Sequence, residues 1–122
     1  MKIRIILLFL GFYCSTLPAK NDGAYSFMTA GQLLRVCESQ EPFQYGACLN
    51  YISGTVDTLN MLMDIGAVTA DAYCLPANIT QTRLRFVTIE YLKKAPAVHH
   101  YLAADQVARA LDMAFPCQQP AD

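Results

Sequence analysis

A chain of 122 residues, 54% hydrophobic and 16% charged, is long enough for one domain around one core. Its nine lysines and arginines against ten acids leave a formal net charge of −1. That balance offers no electrostatic basis for binding nucleic acid or an anionic membrane surface.

The chain opens MKIRIILLFLGFYCSTLPAK. Lys2 and Arg4 precede an apolar run from Ile5 to Tyr13, and small or turn-forming residues follow from Ser15 to Ala19. This is the layout of a secretory signal peptide over residues 1–19, too short for a permanent membrane span. Cleavage is expected after Ala19, although Leu17 is larger than the residue usual at its position. A lipid anchor on Cys14 is rejected because Tyr13, not a small residue, precedes it. The expected product is one exported domain, residues 20–122 with a core over 27–117, and no membrane association after cleavage.

Cys37, Cys48, Cys74 and Cys117 remain in that product, at gaps of 11, 26 and 43 residues. Four cysteines in a small exported chain read first as two disulfides. Zinc sites favour ligand pairs two to four residues apart, and no C-x-x-C redox pair occurs. Three connectivities are open at this stage.

Four helices follow in chain order. The first begins at FMTAGQLLRVC, where Thr29 and Gln32 have capping-box spacing and Met28 and Leu33 the positions of a hydrophobic staple. It ends before Pro42, which disfavours helical geometry at Glu41. The second runs over about residues 43–65, with Tyr45, Cys48, Leu49, Ile52, Val56, Leu59 and Met63 on one face. Gly54 interrupts it and is expected to pack closely on another helix, and Gly66 is a C-terminal stop. The third starts around Asn78, which forms a capping pair with Gln81, and reaches Lys93 with Leu84, Val87, Thr88 and Tyr91 inward. Pro96 ends it and is placed in the first turn of the fourth, whose inner residues are Leu102, Ala103, Val107, Ala110, Leu111 and Ala114. No strand alternation is present, so the fold class is all-α: a small disulfide-stapled bundle of two antiparallel helix hairpins.

Short turns make helices one and two, and three and four, antiparallel neighbours. Cys37 and Cys48 then meet at the first turn, while Cys74 and Cys117 meet at the open end of the second hairpin. The expected pairs are Cys37–Cys48 and Cys74–Cys117.

No constellation for chemistry emerges. His99 and His100 are adjacent, so they point about 100° apart on a helix and suit capping or solvent better than a shared ligand. Asp57 and Asp64 lie two turns apart and read as a solvated face sooner than an acid–base pair. Arg83, Arg85 and Glu90 read as surface charges. Neither a nucleophile motif, an H-E-x-x-H helix nor a phosphate loop occurs, so no catalytic, cofactor or metal site is expected.

The segment DIGAVTADAY is long, partly apolar and acidic, and a cysteine fixes its far end. It has two readings: a partner-contact loop through Asp64, Ile65, Val68, Thr69, Asp71 and Tyr73, or a connection packed over the bundle end. KKAPAVHH is a weaker contact candidate, since capping of the helix end explains its lysines.

FMTAGQLLRVC, YGACLNYISGTVD, YCLPANITQTRLRFVTIEYLKKAP and ALDMAFPC, in this order, resemble the Tai/Rap-type immunity proteins. The likeness spans Phe27 to Cys117 and takes in all four cysteines. It implies a periplasmic protein of a Gram-negative bacterium that binds a peptidoglycan amidase delivered by a type VI secretion system. It also implies inhibition by occlusion of the toxin's catalytic cleft, and homodimers are common in the family. Contact residues do not transfer, because the matched motifs belong to the scaffold.

Two other classes compete. A small periplasmic acid-stress chaperone would expose apolar surface on acidification and suppress aggregation broadly. An orphan member would keep the scaffold without a toxin partner.

Overall fold

The computed structural model describes residues 27–117, and the expected signal peptide, residues 1–19, lies outside them. Four α-helices follow in order: α1 (Ala30–Glu38), α2 (Pro42–Asp64), α3 (Gln81–Lys94) and α4 (Ala103–Ala114). A 3-10 turn, Pro96–Val98, stands between α3 and α4. The described residues hold no β-strand, only one isolated antiparallel bridge between Thr29 and Leu102. The fold is all-α.

Residue chemistry at the chain's punctuation sets the helix ends. The Thr29 hydroxyl accepts the Gln32 N–H at 3.3 Å, and the Gln32 side chain accepts the Thr29 N–H at 2.8 Å. Two donors without helical partners are thereby satisfied reciprocally. Pro42 occupies the start of α2, where its missing N–H costs nothing. Gly66, at φ 71°, takes the left-handed conformation just past α2 and donates to the Met63 carbonyl.

The start of α3 differs from expectation. Ile79 N–H bonds back to the Pro76 carbonyl, so the chain is still in a turn at Asn78. The cap is Thr80, whose hydroxyl accepts the Arg83 N–H at 3.2 Å. The start of α4 differs too: Pro96 opens its own short turn, and α4 begins only at Ala103. The cause lies across the bundle. Residues 99–103 run along the start of α1, where Ala30 N–H donates to the Tyr101 carbonyl and Gly31 N–H to the His99 carbonyl, both at 2.9 Å. Otherwise unpaired donors at the α1 terminus thus draw the segment out of helix.

The core forms where the inner faces converge: Leu33, Cys37, Ile52, Val56, Leu84, Val87, Val107 and Leu111, all buried. Ala30, Leu34 and Leu92 form a smaller cluster beside it. Leu92 takes the inward position expected for Tyr91, which is partly exposed and donates its hydroxyl to Gln106 Oε1 at 3.0 Å. Gln106, buried on α4, satisfies its amide on Asp105 as well.

Disulfides join Cys37 to Cys48 and Cys74 to Cys117, at Cα separations of 5.0 and 4.9 Å. The first closes the turn between α1 and α2. The second ties the segment before α3 to the end of α4, where Cys74 N–H also donates to the Phe115 carbonyl at 2.8 Å.

Arg85 is not the surface charge its sequence context suggested. Its Nε donates to the Cys37 carbonyl at 2.9 Å, its Nη2 reaches the same oxygen, and its guanidinium lies 4.8 Å from the Tyr45 ring centroid. One cation from α3 thus holds the last turn of α1 and the first turns of α2, through a charge-assisted bond and a cation–π contact.

Of the three glycines within helices, Gly31 meets close neighbours, while Gly46 and Gly54 face open space. A Cβ on Gly31 would stand 3.1 Å from His99 Cβ and 3.2 Å from the His99 carbonyl oxygen. A Cβ on Gly54 would meet nothing within 4 Å, so Gly54 does not serve close helix packing. Gly54→Ala is therefore expected to raise stability by about 0.5–1 kcal/mol through helix propensity alone. A urea midpoint below that of the parent would show hidden crowding at this position.

Candidate partner-binding surface

The residues singled out for chemistry have structural tasks or open surroundings. His99 Nε2 pairs with the Leu92 carbonyl at 2.8 Å and so caps the end of α3, while His100 is exposed. Asp57 and Asp64 are exposed on α2. Among the described residues, no group of three His, Cys, Asp or Glu side chains could hold a metal ion. No helix among them is long and apolar enough to cross a membrane.

The loop after α2 presents most of its predicted contact residues outward. Asp64, Ile65, Val68, Thr69 and Asp71 are exposed, with Ile65 at 69%. Tyr73 is the exception. It is 5% exposed, packs in the main core and donates its hydroxyl to Asn60 Oδ1 at 2.9 Å. Burial pushes the Tyr73 phenol above its ordinary value, and the nearby Asp57 carboxylate adds to the rise. An aromatic ring beside Cys74 anchors the loop, so Tyr73 leaves the set of available contact residues.

Sequence reasoning did not find the surface next to this loop. A groove of about 570 Å³ runs between α2 and α4, with Gly54, Thr58, Leu62, Leu102, Ala104 and Ala108 in its lining. It is open because small residues stand where the helices would otherwise interlock. Its threonines add little polarity: Thr55 and Thr58 turn their hydroxyls back to the Tyr51 and Gly54 carbonyls, at 2.9 and 2.8 Å. At one end lies Tyr51, whose phenol is raised by burial, against an opposing pull from the Ala104 backbone. At the other end, Leu59 and Ala108 are shared with a second hollow of about 370 Å³ that includes Val68, Asp71 and Asp112. Groove and loop form one surface.

A further hollow of about 440 Å³ lies between α3 and α4, flanked by exposed Phe86 and Met113 and by Glu90 and Lys94. Its charges balance, and Lys94 Nζ stands 3.7 Å from Glu90 Oε2. Exposed apolar hollows on a small stapled domain are features of surfaces that bind partners.

Residues 29–117 match the family model of the Rap1a immunity proteins. The chain belongs to this family. Neither the curated proteins nor the solved structures include a match to it. Membership of the Rap1a immunity family implies a protein that acts by binding a cognate effector, an inhibitor rather than an enzyme. The capped helices and both disulfides of this Rap1a protein fall within the matched span. Those disulfides are consistent with a place outside the cytoplasm.

Proposed function

We propose that this Rap1a immunity protein acts in the periplasm, where it neutralises a peptidoglycan amidase delivered by a type VI secretion system. Family membership is the observation that carries the reading. The inhibitor acts sterically: a rigid bundle seals the amidase cleft, and no chemistry of its own is needed. Signal cleavage after Ala19 frees the domain for this role. The loop residues Asp64, Ile65, Val68, Thr69 and Asp71 make part of the contact, since a loop pinned at Tyr73 and Cys74 loses little entropy on binding.

Expression of the neighbouring reading frame in the periplasm, with and without this protein, tests the reading. Lysis that this protein alone prevents is the expected result. Exchange of residues 64–71 for a Gly/Ser segment should then abolish protection and leave the helical circular dichroism unchanged. Continued protection would remove the loop from the interface, and lysis regardless of this protein would remove the immunity role.

A further inference from the structure

We infer that the α2/α4 groove is the docking site for an apolar protrusion of the effector flanked by lysine or arginine, which approaches the α2 backbone at Gly54. This rests on the immunity reading and specifies the effector surface it requires.

Gly54 carries the first part. A glycine inside a helix is unfavourable, and structures normally compensate by a turn, a positive φ or a close neighbour. Gly54 has none of these: it stands mid-α2, its φ is not positive, and its missing Cβ faces open space. Nothing within the domain uses the absent side chain. The open space is the floor of the groove, so the approach that glycine permits comes from outside. Thr55 and Thr58, with hydroxyls already bonded to α2 carbonyls, leave methyl groups for that visitor.

Charge carries the second part. Asp71, Asp105 and Asp112 belong to the lining of the groove and its adjoining hollow, against one cation, Arg109. Arg109 Nε is already held at 3.1 Å by Asp105 Oδ2. Asp64 closes α2 at the end where the helix dipole is itself negative, and the last turn of α2 holds no basic residue to offset it. The hollow between α3 and α4 has no such excess. An apolar floor with an acidic rim fits a partner whose own apolar tip is ringed by cations.

The test uses the oxidised domain and the purified product of the neighbouring reading frame, by surface plasmon resonance at low and high salt. Gly54→Leu adds bulk to the groove floor from a position whose Cβ meets nothing within 4 Å, and is expected to weaken binding at least tenfold while the melting temperature holds. Gly54→Ala should bind far more tightly than Gly54→Leu. The double reversal Asp71→Lys, Asp112→Lys should slow association at least tenfold and remove its salt dependence. Lys94→Glu, in the other hollow, should leave binding unchanged.

If Gly54→Leu binds like the parent, the groove is overturned while the immunity reading stands. If the charge reversal associates as fast as the parent, the cationic rim is overturned. If the parent itself binds nothing, the immunity reading falls and the docking site with it.

Discussion

Replacement of Cys74 and Cys117 by serine is expected to lower the unfolding free energy by about 4 kcal/mol. The bridge closes a loop with a sequence separation of 43, and the chain-entropy relation gives about that value at room temperature. Loss of Cys37–Cys48, with a separation of 11, should cost about 3 kcal/mol by the same relation. Domains of this size hold roughly 5–15 kcal/mol in all, so either loss is large. Urea denaturation of the oxidised parent and each serine pair provides the comparison. The slope should steepen as the midpoint falls, because an uncrosslinked unfolded chain exposes more surface. If both serine pairs unfold at the parent's midpoint, the bundle rests on its core alone.

Gly31→Val should destabilise by about 2–4 kcal/mol, the sum of typical overpacking and a weakened hydrogen bond. The valine methyls have no room: even a bare Cβ stands 3.1 Å from His99 Cβ and 3.2 Å from the His99 carbonyl oxygen. Displacement of that carbonyl strains its bond from Gly31 N–H and disturbs the His99 contact with the Leu92 carbonyl. Gly31→Ala differs, since a helix-propensity gain of about 1 kcal/mol opposes a shift of a few tenths of an ångström. Adding His99→Ala to the valine variant should restore only part of the loss, because the backbone oxygen stays in place. Thermal unfolding of the four proteins decides the matter, and a valine variant as stable as the parent would contradict the contact.

The helical frame is legible in the sequence because local rules govern it. Thr29, Gln32, Pro42 and Gly66 each act within a few residues of themselves, and the spacing of Cys48, Ile52 and Val56 marks the buried face of α2. What escaped reading depends on distant partners. Arg85 is identical to a surface arginine until the Cys37 carbonyl, 48 residues away, is placed beside it. Gly31 and Gly54 offer the same letter, and only the fold decides which one touches a neighbour. Tyr73 sits among exposed loop residues, yet the bulk of its ring next to a cysteine was a signal of anchoring. The α2/α4 groove had no sequence signal, because a hollow between helices depends on two separated sets of small residues in register.

The four bridged cysteines join first with second and third with fourth, so neither link spans the other. Once the proposed signal cleavage has removed Cys14, a chain that emerges N-terminus first meets each correct partner as the next thiol to appear. Simple oxidation in order of emergence produces the native pattern, and thiol–disulfide exchange has no scrambled bond to repair. An immunity protein has to be active before its toxin arrives. This arrangement lets maturation proceed as fast as a thiol oxidase can act, without waiting for an isomerase.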